Sequence, residues 1–236
     1  MRKKGAANAA MYISIINASA RKNGATAKIL KQFAENLSSM ENVEISMVHL
    51  SDIRLSFCLG CCMCYKTGLC HINDDAERIS NMISDSDGVI IGTPNYASSM
   101  PGQLKTFIDR GHFVIEQLLR GKHAIGVVTY ENADGGAVAK ALKKLFVFSG
   151  AKSFDKFVVK LPFNADPLAD TKTKLAIQRK SVKLHNAITK SKNAGPINAL
   201  IHFAVFNFGI KPFVLRKGDE YKGVRAHWEK RGIPMR

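Results

Sequence analysis

Short apolar runs rich in β-branched residues alternate with longer amphipathic segments over most of the chain. Five such runs are predicted to be strands: 11–17, 43–50, 87–93, 123–130 and 156–161. Apolar residues at helical spacing mark the segments between them: 25–39, 75–84, 101–120 and 136–148. This alternation is typical of βαβ units, so we expect an α/β fold with a five-stranded parallel sheet between helices.

The pattern weakens after residue 161. The segment 162–170 is predicted to be a loop and 171–192 a basic helix, which Gly195 and Pro196 end. We therefore expect three parts: a flexible N-terminal segment over 1–10, an α/β domain over 11–165, and a basic, apolar, helical C-terminal extension over 166–236.

The stretch 197–215 in this extension is strongly apolar and aromatic and is close to membrane-spanning length. Polar side chains interrupt it, and Pro212 is expected to break any helix there. We therefore expect an arm that packs on its own domain or on a second subunit, giving a dimer or tetramer. Docking on a membrane surface is the alternative.

The formal net charge of +16 is concentrated in the C-terminal third. Residues 1–150 carry 17 Lys and Arg against 13 Asp and Glu, whereas residues 151–236 carry 18 against 6. Such a surface suits an anionic cofactor, an acidic protein or acidic lipid. No nucleic-acid-binding motif accompanies the charge, so nucleic acid is not an expected partner.

All five cysteines lie between Cys58 and Cys70. This clustering indicates a local ligand or redox loop in a reducing compartment, since a secreted disulfide framework spreads its cysteines along the chain. The basic start has no apolar run before Met11, so we expect no export and a cytoplasmic protein. The loop could hold an iron–sulfur cluster or zinc, or carry free or reversibly oxidised thiols.

The loop after the first predicted strand is suited to a phosphate. Free backbone N–H groups at the start of the next helix can converge on a dianion with the hydroxyls of Ser19 and Thr26, and Arg21 adds a positive charge. The dinucleotide glycine fingerprint and the P-loop sequence are both missing from this loop, so neither of those sites is expected.

Two further loops should meet this one, because the carboxyl ends of parallel strands lie at one edge of the sheet. After the third strand, Tyr96 offers a face for a flat ring, and the backbone near Asn95 can reach polar groups on such a ring. After the fourth strand, the backbone of Gly135 and Gly136 can do the same. The three loops therefore predict one ligand pocket.

The motifs S-x-R-x-x-G-x-T and G-T-P-N-Y-x-x-S-M-P-G-x-L-K-x-F-I-D-R, followed by a G-G loop, cover much of residues 11–160. Together they resemble the NAD(P)H-dependent FMN reductase and iron–sulfur flavoprotein branch of the flavodoxin-like superfamily. The resemblance implies a doubly wound sheet that binds FMN. It places the phosphate and ring on these residues: Ser19, Arg21, Asn23, Ala25, Thr26, Thr93, Pro94, Asn95, Tyr96, Ser98, Thr129, Gly135 and Gly136. The chain has Gly24-Ala25-Thr26 where such proteins commonly have G-N-T, which removes one side-chain amide.

The spacing of the cysteines also resembles the compact motif of iron–sulfur flavoproteins. On that reading Cys58, Cys61, Cys64 and Cys70 are the candidate [4Fe–4S] ligands, because short spacers reach adjacent irons. Cys62 adjoins Cys61 and is expected to point away from the cluster. Next to the loop, Asp74 and Asp75 are expected to cap the following helix, and His71 to be a surface residue.

The expected function is an FMN-dependent oxidoreductase that moves electrons from NAD(P)H or a reduced carrier to a small acceptor. The alternative is an iron–sulfur flavoprotein that exchanges electrons with ferredoxin through a [4Fe–4S] cluster. In either case the cofactor supplies the chemistry, and no acid–base residue is predicted.

Overall fold

A computed structural model describes residues 10–191 and 195–235. The N-terminal segment predicted over 1–10 therefore lies almost wholly outside the described residues, as does residue 192, the predicted end of the basic helix. The strands are β1 Met11–Asn17, β2 Val43–His49, β3 Gly88–Pro94, β4 His123–Tyr130 and β5 Ser153–Lys160. The helices are α1 Ala25–Ser38, α2 Met63–Thr67, α3 Ala76–Asp85, α4 Gly102–Arg110, α5 Gly135–Phe148, α6 Thr171–Thr189, α7 Pro196–Ala204, α8 Lys211–Arg216 and α9 Lys222–Lys230.

The five strands form one parallel sheet in the order β2-β1-β3-β4-β5. β3 is buried along its whole length, which explains its unbroken apolar sequence. The strand order reverses between β1 and β3, so the switch point where ligands bind in such sheets lies at the carboxyl ends of these two strands. The predicted doubly wound five-stranded sheet is confirmed.

The sheet has an apolar core on each face. One core contains Phe33 of α1 and Ile177 of α6, and the other contains Phe107 of α4 and Phe146 of α5. The amphipathic spacing noted in the sequence therefore marks the sides of these helices that face the sheet.

The predicted helix over 101–120 ends at Arg110. A Cβ at Gly111 would lie 2.7 Å from the ring of Phe113 and 2.9 Å from the carbonyl oxygen of Phe107, so the chain turns back tightly there. His112 and Gln117 then adopt positive φ values of 54° and 57°, which no α-helix contains. Residues 111–121 form a series of turns.

The C-terminal extension is helical, and Pro212 does not break it. A π-helical segment, Val205–Ile210, joins α7 to α8, and Pro212 lies in the first turn of α8, where a proline is tolerated. The expectation of a break at Pro212 was therefore wrong. By length and composition, Pro196–Arg216 could cross a membrane, although its inner side packs on the protein.

That inner side belongs to a third apolar cluster, formed with α9. Phe206, Ile210 and Val214 pack with Val224 and the fully buried Trp228. Helix α9, near the end of the chain, is thus packed into the molecule.

Candidate functional site

A cavity of about 360 Å³ lies at the carboxyl edge of the sheet, where the loops after β1, β3, β4 and β5 meet. Seven of the residues predicted to bind the cofactor line it: Arg21, Ala25, Pro94, Asn95, Tyr96, Ser98 and Thr129. The convergence of three loops that the sequence predicts is therefore present, with a fourth loop added after β5.

The loop after β1 holds its own conformation through short-range hydrogen bonds. The buried Ser19 hydroxyl donates to the carbonyl oxygen of Arg21 and accepts from its amide, while Asn17 Oδ1 accepts from the Ser19 amide. The Arg21 guanidinium stacks on Phe163 at 3.9 Å from the ring centre and donates to Asn164 Oδ1. The β5 loop therefore holds the arginine in place at the cavity.

Helix α1 begins behind this loop at a glycine, Gly24, which has no side chain to cap it. Its first N–H groups are thus suited to an anion. Thr26 Oγ1 and Thr129 Oγ1 lie 2.7 Å apart and are buried, so they tie α1 to the end of β4. Asn23 is exposed and does not line the cavity.

The loop after β3 is a tight turn in which Ala97 and Ser98 have positive φ values. Asn95 Nδ2 donates to the carbonyl oxygen of Ala133 at 2.6 Å, and Asn95 Oδ1 is buried without a hydrogen-bond partner among the described residues. Thr93 is fully buried and bonds to the Pro94 carbonyl, so it supports the loop without lining the cavity.

Gly135 and Gly136 begin α5 beside the cavity but do not line it. A Cβ at Gly135 would lie 2.3 Å from the ring of Tyr130, so glycine is needed there for Tyr130 to pack. The sequence analysis missed several lining residues: Tyr130, Glu131, Asn132, Ala133 and Phe163. Their position after β4 and β5 was the available signal.

The site fits FMN in two respects. The uncapped start of α1 and Arg21 suit its phosphate, and the unpartnered Asn95 oxygen suits an N–H donor on the rim of its ring. Tyr96, at 43% exposure, offers its face at the same edge.

The cysteine loop surrounds a second cavity of about 250 Å³. All five cysteines line it, and each is a free thiol. Cys61 Sγ lies 3.5 Å from His71 Nδ1, and Cys62 Sγ lies 3.5 Å from the carbonyl oxygen of Gly60. Within the described residues, the thiols do not come together as a group of three or more metal donors.

A buried ion pair closes the base of this loop. Arg110 Nη1 and Nη2 donate to the two oxygens of Asp74 at 2.8 and 2.9 Å, and both side chains are almost wholly buried. Arg110 also donates to the carbonyl oxygens of Ser56 and Ile72, which precede and follow the cysteines. One arginine thereby joins the two ends of the loop.

Asp74 caps the start of α3, as the sequence predicts, and it also binds the cysteine loop. It accepts from the amide of Ala76 at the start of α3 and from that of Ser56, while Asp75 accepts from the amide of Arg54. Burial alone would raise the pKa of Asp74, but the hydrogen bonds from Arg110 and from these amides hold that pKa below its usual value.

His112 and Glu116 lie on the other side of the cavity. Both are largely buried; His112 Nδ1 hydrogen-bonds to Glu116 Oε1, and the imidazole lines the same cavity as Cys64. Burial would lower the pKa of His112, but interactions with Cys64 and Glu116 raise it to about 10. A positive charge therefore lies beside the Cys64 sulfur.

The loop supplies the type of donor that an iron–sulfur cluster requires, although the thiols are not gathered into one donor group among the described residues. Five thiols surround one cavity that Arg110 and His112 also line, and these basic side chains suit the negative charge of a cluster held by cysteine sulfurs. Arg110 stands beside Cys70, and its Nε is a buried N–H that lacks a partner within the described part of the chain.

Comparison with known proteins gives the family. The NADPH-dependent FMN reductase family matches residues 11–166. An iron–sulfur flavoprotein of Clostridioides difficile (strain 630) is 38% identical over 225 residues, which cover 94% of this chain and 100% of that protein. An iron–sulfur flavoprotein of Archaeoglobus fulgidus is 34% identical over 116 residues, covering 48% of this chain and 51% of that one.

Solved structures agree on the fold. An NADH:FMN oxidoreductase in its apo form matches with a TM-score of 0.57 and 19% identity, covering 80% of this chain and 93% of its own. The NAD(P)H:quinone oxidoreductase of Methanothermobacter marburgensis matches with a TM-score of 0.58 and 14% identity. The match covers 73% of this chain and 98% of that one. The chain therefore belongs to the NADPH-dependent FMN reductase family of flavodoxin-like, FMN-binding oxidoreductases, and nearly its whole length is similar to an iron–sulfur flavoprotein.

Proposed function

We propose that this chain is a cytoplasmic FMN-dependent oxidoreductase that accepts electrons from NAD(P)H or a reduced protein carrier and passes them to a small acceptor. The cavity at the carboxyl edge of the sheet carries this proposal, because it combines an anion-binding helix start, a fixed Arg21 and an unpartnered Asn95 oxygen. When bound, FMN would supply the redox chemistry, taking up and releasing one or two electrons.

The role of the protein itself is to bind FMN and to orient its ring. Ser19, Arg21, Asn23, Ala25 and Thr26 are the proposed phosphate residues. The residues proposed to hold the ring are Thr93, Pro94, Asn95, Tyr96, Ser98, Thr129, Gly135 and Gly136. Of these, Thr93 and the two glycines would act by supporting the lining loops. Phe163 packs on the Arg21 guanidinium and holds it at the cavity.

A double variant tests the phosphate assignment. Replacing Ser19 and Thr26 by Ala removes two hydroxyls of the proposed phosphate loop, which hold Arg21 and the start of α1 in place, so FMN affinity should fall by about tenfold or more. Fluorescence titration of the apoprotein measures it, with thermal unfolding recorded alongside. Ser39→Ala with Thr189→Ala, which removes exposed hydroxyls at the C-terminal ends of α1 and α6, is the matched control. Unchanged FMN affinity in the first pair would remove the assignment.

We propose further that Cys58, Cys61, Cys64 and Cys70 hold a [4Fe–4S] cluster, which makes one-electron exchange with a ferredoxin-like carrier the second candidate function. The closed base of the loop and the cations beside Cys64 and Cys70 support it. Iron, sulfide and FMN analysis of anaerobically purified protein tests it. Cys62→Ser should retain the iron and Cys64→Ser should lose it; FMN without iron in the wild type would leave only the NAD(P)H-dependent reductase.

The outer side of the C-terminal arm is the proposed contact with a second copy. Ile197, Leu200 and Phe208 are 72, 68 and 78% exposed there, while the inner side packs on the protein. A two-fold pairing of identical apolar faces buries both at once. Leu200→Glu with Phe208→Glu should yield a folded monomer by light scattering. A monomeric wild type that instead sediments with anionic vesicles would favour the membrane alternative.

A further inference from the structure

Helix α9 of the C-terminal extension lies directly against the end of the cysteine loop. A Cβ at Gly223 would lie 2.2 Å from the Gly68 amide nitrogen, so the two backbones touch. His227 Nε2 lies 2.8 Å from the carbonyl oxygen of Gly68, and Tyr221 stacks on Tyr65 with 4.8 Å between ring centres. These contacts hold the residues between Cys64 and Cys70.

A second set of contacts joins α9 to Cys64 through the buried carboxylate of Glu116. His227 Nε2 lies 3.5 Å and Arg231 Nη1 3.9 Å from Glu116 Oε2. Arg231 also donates to the Glu116 carbonyl oxygen at 2.7 Å. The other carboxylate oxygen holds His112, which lines the same cavity as Cys64. The Gly68 amide, which α9 contacts, donates directly to the Cys64 carbonyl oxygen at 2.8 Å. Buried charges of this kind keep their geometry only when all partners are present.

We propose that α9 is a structural part of the cysteine site, in which Gly223 and His227 are positioning residues that hold Cys64 in place for its ligand. The binding of a cluster rests on the proposed function above, whereas the positioning of the thiol does not. The extension is then the second half of a site whose first half lies within the FMN reductase-like domain.

The contact between glycines gives a sharp test. In Gly223→Ala the new methyl group meets backbone that cannot yield, so α9 must move away from Gly68. Gly209→Ala, in the same extension with open space around it, is the matched control. Alkylation of Cys64 in reduced, metal-free protein, followed by mass spectrometry, should accelerate by about threefold to tenfold, the factor expected for losing one hydrogen bond. The already exposed Cys58 and Cys61 should react at unchanged rates.

A second variant avoids any steric clash. His227→Phe keeps the size of the side chain and removes its bond to Gly68, so it should accelerate Cys64 alkylation and lower the iron and sulfide retained per FMN. His227→Gln restores an N–H donor and should recover the wild-type labelling rate and visible spectrum. A general loss of stability would show no such rescue.

The outcomes separate the two proposals. Wild-type labelling rates in both Gly223→Ala and His227→Phe would overturn the positioning role, whatever metal is bound. A wild-type protein that contains FMN but no iron would refute the cluster, and the labelling experiment would still decide the role of α9.

Discussion

At the scale of single residues, the cysteine site depends on charges that the thiols themselves do not supply. Arg110 stands at the base of the loop beside Cys70, and His112 stands at the wall beside Cys64. Each is held by a buried carboxylate, Asp74 or Glu116. Unpaired buried charges are costly, so these carboxylates keep two basic side chains near the cysteines inside the protein.

Replacing Asp74 by Asn should therefore cost about 3–5 kcal/mol of unfolding free energy, because Arg110 is left buried without its counter-charge. Asp75→Asn, next in the chain, is the control and should cost far less, since its partners are exposed. Urea unfolding followed by circular dichroism measures both. Equal effects would contradict the central role of the pair.

The ion pair between Asp74 and Arg110 also makes the free energy of unfolding depend on pH. The folded-state pKa of Asp74 lies below the ordinary value of 3.8, so its stabilisation is present above that value and is lost as the pH falls through the lower folded-state pKa. Acid unfolding of the wild type should therefore be steeper below pH 3.8 than that of Asp74→Asn.

At the scale of elements, the C-terminal arm is held by one large side chain. Trp228 on α9 packs edge-on against Phe206 at 5.2 Å and donates from Nε1 to the carbonyl oxygen of Ile115 at 2.8 Å. It thereby joins α9, the π-helical segment and the turns after α4.

Trp228→Ala should destabilise the protein by about 3–5 kcal/mol, as expected for a fully buried aromatic residue. Val182→Ala, on the exposed side of α6 in the same extension, should change the unfolding free energy little. A two-step unfolding curve for Trp228→Ala, with the cysteine thiols becoming reactive in the first step, would show that the arm unfolds before the sheet.

At the scale of the whole molecule, the net charge of +16 predicts that an acidic protein carrier would bind as the electron donor. Reduction of bound flavin by an acidic ferredoxin should slow steeply, by about tenfold or more, between low and high ionic strength, because salt screens the steering field. Stopped-flow reduction by NADPH, a small donor, is the comparison. Equal salt dependence for both donors would argue against a steered protein carrier.

The sequence alone was sufficient for the sheet and for the edge at which ligands bind. Buried parallel strands leave continuous apolar runs, and their carboxyl ends must share one edge, so Arg21, Asn95 and Thr129 could be placed together in advance. The cysteine spacing likewise predicted that the five thiols belong to one local loop, and all five line one cavity.

Only the tertiary structure decided what completes these sites. Phe163 reaches Arg21 across 142 residues and His227 reaches Gly68 across 159, and no local periodicity encodes contacts at such separations. Pro212 remains helical because the π-helical segment before it places it in a first turn. The segment predicted as one helix over 101–120 turns at Gly111, where the Phe113 ring packs closely, and this turn places His112 at the cysteine cavity with Glu116 bonded behind it.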